Sequence, residues 1–257
     1  MKILFVSTSI PPATDMHTIR NMYLIQALLN AGDSIDVITC GEEGEIDKQH
    51  RELLKNTSVI RTPLPNVLKW HKYINRTYGG LIKKAHNVAI NYIAVPDLYI
   101  LWDRVAWKAI TKYKLYDYDL MITSSGSYTS HIVGCRWKNK TGKKWIAEYG
   151  DPWGLDEMGR IRKMNRCIEQ RIVSKCDGFV FTTQETIDAY QKSVRKEVPY
   201  KLITGGFEQI LDDIANHSKM LTFVYTGIAY KKSRNLQNLM HVIGDNPSAT
   251  ELNMVGT

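Results

Sequence analysis

The chain has 257 residues, 44% of them hydrophobic, and a formal net charge of +8. That is enough apolar material for a packed core, which excludes disorder over most of the length, and the basic balance favours anionic partners such as nucleotide phosphates, acidic lipids or nucleic acid. The four cysteines, Cys40, Cys135, Cys167 and Cys176, form no C-x-x-C pair, which argues against zinc and dithiol signatures and for a reducing, cytosolic setting; no run approaches the ~18 apolar residues of a membrane span.

In chain order the pattern alternates strand and helix. Ile3 to Thr8 reads as a short apolar strand. Thr18 to Ala31 reads as a helix, with Ile19, Met22, Tyr23, Leu24, Ala27 and Leu28 at steps of three and four, and Gly32 stands at its C-terminal end. Ile35 to Thr39 and Ser58 to Arg61 are the next strands. From Asn66 to Pro96 there are five basic residues (Lys69, Lys72, Arg76, Lys83, Lys84), no acid, and interleaved Trp70, Tyr73, Tyr78 and Tyr92. This predicts helical pieces broken at Gly79-Gly80. Over residues 66–92 they suit either an anionic membrane surface or a basic surface helix packed on the sheet.

Asp97 to Tyr113 is the next predicted helix, with Leu98, Leu101, Trp102, Val105 and Ile110 inward. Asp119 to Ser124 is a strand, Tyr128 to Trp137 a helix, the run starting at Trp145 a strand and Glu157 to Lys175 a long helix. Gly178 to Thr183 and Lys201 to Gly206 complete the set. Such alternation predicts an α/β, Rossmann-like fold, a mostly parallel sheet with helices on both faces. After Phe207 the chain turns polar, and Leu221 to Gly227 restarts the pattern as a new first strand. A helix over Asn235 to Ile243 and a strand from Leu252 follow. The expected organisation is a first domain over 1–207, a linker over 208–220, and the opening of a second Rossmann-like domain over 221–257, too short to bury a core alone.

In an open α/β sheet, ligands sit beyond the carboxyl ends of the strands. Ser7-Thr8-Ser9, Ser124-Ser125-Gly126, Tyr149-Gly150-Asp151, Thr182-Thr183 and Gly205-Gly206 all fall there and are expected to face one crevice. Asp117-Tyr118-Asp119 imitates a D-x-D metal motif but stands at a strand entrance, on the opposite rim. P-loop, G-x-G-x-x-G and G-x-S-x-G motifs are absent. The seven histidines include no metal-spaced pair, and neither a metal nor a cofactor is expected. Nucleic acid is disfavoured as a partner because the basic residues interleave with core helices and belong to no recognised module.

The start, "MKILFVSTSIPPATDMHTIRNMYLIQALLNAGDSIDVITC", resembles the first domain of family 4 glycosyltransferases, retaining enzymes built from two Rossmann-like domains (the GT-B fold). "WIAEYGDPW" resembles a subgroup that works on bacterial surface polysaccharides. "CDGFVFTTQET" and "KLITGGFE" are similar to the family's later strands and linker, and "FVYTGIAYKKSRNLQNLM" to the opening of the donor-binding domain. The family's Gly-Gly after strand one is replaced here by Ala13 to His17. Its Arg after the second-domain glycine is Ile228, and its Glu-x7-Glu segment would lie beyond Thr257.

The resemblance implies transfer of a sugar from a nucleotide-sugar donor to a lipid-linked or oligosaccharide acceptor at the inner face of the cytoplasmic membrane. The nucleotide sugar is a substrate, and this chain is expected to be an inactive fragment of the enzyme. In such a reaction positive charge builds at the sugar C1 and negative charge on the departing diphosphate, so a carboxylate and basic residues are needed at the two places. Asp151 and Glu148 are the implied catalytic carboxylates. Ser125, Gly126, Gly150 and Trp153 are the implied acceptor contacts, with Gly150 admitting close backbone approach and Trp153 stacking on a sugar. Gly227, Lys232 and Arg234 are the implied donor contacts. A non-catalytic acceptor-binding or scaffolding module lacking a donor half, and a GT-B sugar-nucleotide epimerase, are the alternative readings.

Overall fold

The computed structural model describes residues 1–41, 44–113, 116–154, 162–195, 197–206, 221–227, 236–247 and 250–255, without the side chains at 91, 92, 162 and 163. The chain forms two compact units, Met1–Gly206 and Phe207–Thr257. The predicted linker over 208–220 lies outside the described residues.

In the first unit the elements run β1 (Lys2–Val6), α1 (Met16–Asn30), β2 (Ser34–Cys40), α2 (Lys48–Leu54), β3 (Ser58–Thr62), α3 (Asn66–Thr77), α4 (Gly80–Ile93), α5 (Trp102–Lys112), β4 (Leu120–Ser124), α6 (Thr129–Thr141), β5 (Lys144–Tyr149), α7 (Arg162–Val173), β6 (Gly178–Phe181), α8 (Gln184–Ser193) and β7 (Tyr200–Leu202). The seven strands form one sheet in the order β3-β2-β1-β4-β5-β6-β7, parallel at every pairing, with Phe5 level with Val37 and Ile122, and Ser124 level with Glu148. The order reverses between β1 and β4, the place where such sheets open a crevice.

Both faces are covered, which is why the strands read as near-continuous apolar runs. Successive side chains point to opposite faces. Ile3, Phe5, Ile35, Val37, Leu120 and Ile122 pack with Ile25 of α1 on one side. Leu4, Val6, Met121, Trp145, Ala147 and Tyr149 pack on the other with Trp102 and Ile110 of α5, Val133 and Trp137 of α6, Val173 of α7 and Tyr190 of α8.

Three local expectations change. The helix expected from Asp97 starts at Trp102, because the Asp97 carboxylate accepts from Tyr99 N and from Thr129 N and Oγ1, turning the chain first; Leu101, expected inward, is exposed. The last strand is shorter than Lys201 to Gly206 and ends at Leu202. Helices α2 and α8 were not anticipated, since only Leu54 in the first and Ile187 and Tyr190 in the second are buried.

In the second unit β8 (Leu221–Thr226) pairs in parallel with β9 (Thr250–Val255), joined through α9 (Gln237–Asp245). No described residue of α9 is buried, and Leu221, Val224, Met240, Val242 and Val255 are exposed. A βαβ unit alone has too little surface to cover its own apolar faces.

Candidate functional site

Helix α1 brings polar side chains to the carboxyl rim at positions i, i+3 and i+4, which share one helix face. They are His17, Arg20 and Asn21. The Asn21 amide, fully buried, donates to Ser7 Oγ (3.0 Å) and to the Ser9 carbonyl (2.8 Å) and so shapes the loop after β1. The Arg20 guanidinium makes a close ion pair through Nε with Glu148, and Nη1 reaches the Thr204 carbonyl at 3.4 Å. Glu148 also accepts from Ser124 Oγ (2.7 Å).

The tips of β4, β5 and β6 are tied crosswise. Ser125 N donates to the Glu148 carbonyl (3.1 Å), Gly150 N to Ser125 Oγ (2.9 Å), and Thr182 Oγ1 to the Gly150 carbonyl (2.9 Å). A Cβ at Gly150 would stand 2.5 Å from His17 Cε1, and one at Gly126 would stand 2.7 Å from Ser9 Cβ. Gly126 is required by this close approach, whereas a side chain at Gly150 would displace the His17 ring.

Beyond Gly150 the chain presents Asp151, whose side chain is 76% exposed, with His17 Nε2 at 3.7 Å from Oδ2. The turn is then drawn back into the core. Trp153 N donates to Tyr190 Oη (2.9 Å), the Tyr190 hydroxyl donates to Glu169 Oε1 (2.5 Å), and Gly154 N donates to Glu169 Oε2 (2.9 Å). Burial pushes the Glu169 carboxyl up to about 7, against the lowering effect of those donors and of Arg166. The Tyr190 phenol is raised well above its ordinary value by burial and by Glu169 beside it.

Three helices begin at this rim already capped. Asp15 accepts from Thr18 N at the start of α1, Asp97 from Thr129 N at the start of α6, and Thr183 from Thr186 N at the start of α8.

Of the residues singled out in the sequence, Asp151 stands open at the rim. Glu148 does not, because it is fully buried and paired with Arg20, so its carboxylate positions the arginine and faces no solvent. Ser125 is buried with its hydroxyl engaged by Gly150. Gly126 and Gly150, expected to admit a ligand, admit Ser9 and His17 instead. Trp153, expected to stack on a sugar, is buried and stacked on Tyr128 with centroids 5.3 Å apart and planes at 4°. Gly227 follows β8 with φ +121°; Lys232 and Arg234 lie outside the described residues. Asp119 accepts from Lys2 N at the start of β1, on the opposite rim.

His17, Arg20, Asn21, Glu169 and Tyr190 went unnoticed in the sequence. A polar i, i+3, i+4 set inside an otherwise apolar helix was the available signal for the first three. Among the described residues no group of three or more His, Cys, Asp or Glu could hold a metal ion, and no helix is long and apolar enough to cross a membrane.

No family model matches the chain, and no curated protein matches it. Among solved structures it is similar to sucrose-phosphate synthase from Thermosynechococcus elongatus, at 18% identity and a TM-score of 0.65, covering 99% of this chain and 62% of that one. It is similar to Alr3699/HepE from Anabaena, solved with UDP and glucose, at 14% identity and a TM-score of 0.58, covering 99% and 60%. The lipopolysaccharide outer core galactosyltransferase WaaB matches at 13% identity and a TM-score of 0.55, covering 100% and 62%. The chain spans about three fifths of the length of these structures. At such identities the likeness is one of fold, and the first unit has a Rossmann-like α/β architecture, a parallel sheet with helices on both faces.

Proposed function

We propose that the chain belongs to a retaining glycosyltransferase that moves a sugar from a nucleotide-sugar donor to a lipid-linked or saccharide acceptor in the synthesis of a bacterial surface polysaccharide. Asp151 carries the reading. It is an open carboxylate at the carboxyl end of a central strand, with its backbone fixed on both sides and His17 beside it. A carboxylate held there can stabilise the positive charge that develops at the sugar C1. The fold shared with a galactosyltransferase and with a protein solved with UDP and glucose supports the substrate class. On this reading Gly227, Lys232 and Arg234 answer the charge of the departing diphosphate. The enzyme works at the inner face of the cytoplasmic membrane, with residues 66–92 toward anionic lipid.

The test is the full-length enzyme assayed with UDP-glucose and UDP-galactose, with the anomeric configuration of the product read by NMR. Asp151→Asn is expected to lower kcat by roughly 10²-fold or more, the scale of one lost transition-state contact. A rate near that of the parent enzyme returns Asp151 to a structural role, and an inverted product ends the retaining assignment. A non-catalytic acceptor-binding module is the second reading, favoured by how many rim groups are engaged internally (Ser124, Ser125, Glu148); failure of the full-length protein to bind either nucleotide sugar would favour it.

A further inference from the structure

Helices α3 and α4 form a hairpin that is built the wrong way out for a water-soluble element. Their facing sides are polar. His71 Nδ1 lies 3.1 Å from His86 Nε2, and Asn75 and Asn87 exchange reciprocal amide hydrogen bonds of 3.1 Å each. All four residues are half-buried. Burial and the neighbouring His86 hold His71 below the usual histidine range, so the joint between the helices favours the uncharged ring. Leu68, Ile90 and Ala94 are its buried apolar residues.

The outward faces hold the apolar side chains. Trp70 is 67% exposed and Leu81 83%, and Tyr73, Tyr78, Ile82, Val88 and Ile93 are exposed as well. Tyr73 and Tyr78 meet edge to face, with centroids 6.3 Å apart, and Leu81 and Ile82 follow directly after the Gly79-Gly80 turn. The end of the hairpin therefore exposes aromatic and aliphatic side chains. Lys69, Lys72, Arg76, Lys83 and Lys84 are exposed on the same two helices, and no acid occurs from residue 66 to residue 96.

A soluble hairpin gains by turning its apolar residues inward. This one pairs polar groups with each other in its joint and leaves seven large apolar side chains outside, an arrangement favoured where the outside is apolar too. Trp and Tyr among basic residues match the interfacial zone of a bilayer, where rings sit at headgroup depth and ammonium groups reach anionic phosphates. We infer that the α3–α4 hairpin is a wedge that inserts Trp70, Tyr73, Tyr78, Leu81 and Ile82 into the headgroup–acyl boundary of an anionic membrane, with the five cations at its surface. This rests on the lipid-surface reading proposed above and adds to it penetration by named side chains. Charge complementarity selects lipid over a second copy of this chain, since two such faces would each carry the same five cations.

The experiment uses the 257-residue chain with vesicles of phosphatidylcholine alone, or phosphatidylcholine with phosphatidylglycerol, in which the phosphatidylcholine carries brominated acyl chains. Trp102, Trp137, Trp145 and Trp153 are buried in the core and Trp107 is half-buried against Arg136 and Tyr116, so the part of the bromine quenching that Trp70→Phe removes reports Trp70. The expected result is pelleting with the anionic vesicles and quenching that Trp70→Phe removes. Leu81→Ser with Ile82→Ser should weaken binding about tenfold or more, with an unchanged far-ultraviolet circular dichroism spectrum. Pelleting with anionic vesicles but no quenching and no effect of the double substitution would overturn insertion and leave surface adsorption standing. No pelleting with any vesicle would overturn the lipid reading itself. A dimer in the absence of lipid that the double substitution dissociates would overturn the proposal in favour of a second copy.

Discussion

The carboxyl rim of the first unit and the α3–α4 hairpin both bury polar side chains, with opposite results. At the rim the two buried carboxylates have partners from other parts of the fold: Glu148 on β5 holds Arg20 of α1, and Glu169 of α7 holds Tyr190 of α8 and the turn after Asp151. Such pairs lock elements together around one exposed carboxylate. In the hairpin the polar groups pair with each other within and across the two helices, and many of the large apolar side chains are turned outward. The difference teaches that a buried polar network is informative by what it leaves outside. At the rim it leaves a candidate reacting group, and in the hairpin a surface suited to a non-aqueous partner.

The sharpest way to break this comparison is Arg20→Met. It strands the Glu148 carboxylate in a fully buried position, and removing one member of a buried pair costs about 3–5 kcal/mol. Urea unfolding should show that loss, and Arg20→Met with Glu148→Gln should recover part of it. A single-substitution loss under 1 kcal/mol would mean that the pair contributes little to joining α1 and β5.

The Glu169 clasp gives an effect of nearly the same size that depends on pH. Its carboxyl is raised from 4.5 to about 7 in the folded state. The folded protein therefore binds the proton more tightly than the unfolded chain does. The associated stability is complete below about pH 4.5 and is lost as pH rises to about 7, a change of roughly 3 kcal/mol at about 1.4 kcal/mol per pH unit. Unfolding midpoints across that window, compared between the parent and Glu169→Gln, check it; equal slopes in the two proteins would remove Glu169 as the source.

The smallest expected effect belongs to the hairpin. Leu81→Ser, at a strongly exposed position, should alter stability in water by no more than about 0.5 kcal/mol. A loss of 2 kcal/mol or more in the same urea experiment would show that the side chain is covered in solution and would erase the contrast between the two regions.

The order of strands and helices in the first unit was legible because parallel strands buried on both faces leave long apolar runs. The residues at the carboxyl ends were legible from the rule that places ligands there. Partners distant in sequence were not. Glu148 and Arg20 are 128 residues apart, and nothing in "WIAEYGDPW" announces that its first acid is buried while its second is exposed. Trp153 looked available because it follows a Gly-Asp-Pro turn at the end of a strand. Its cover comes from Tyr128 and from α8, a helix with only two buried residues and therefore little periodic signal. The 66–92 segment was visible as basic and aromatic, and its break at Gly79-Gly80 was anticipated. Which face turns inward was not, because periodicity reads apolar residues as the buried ones and here His71, Asn75, His86 and Asn87 take that place.

The capped helix starts at the rim have a consequence for recognition. The free N–H groups at a helix start act as a partial positive charge, the usual means by which an α/β domain grips a phosphate. At α1 and α6 that charge is answered by the protein's own carboxylates, Asp15 and Asp97, and at α8 by the Thr183 hydroxyl. An incoming group at this rim meets the open Asp151 carboxylate and the His17 imidazole rather than bare helix starts at α1, α6 and α8. On the reading proposed above, such a rim selects by hydroxyl geometry at Asp151 and His17 rather than by attraction for anions.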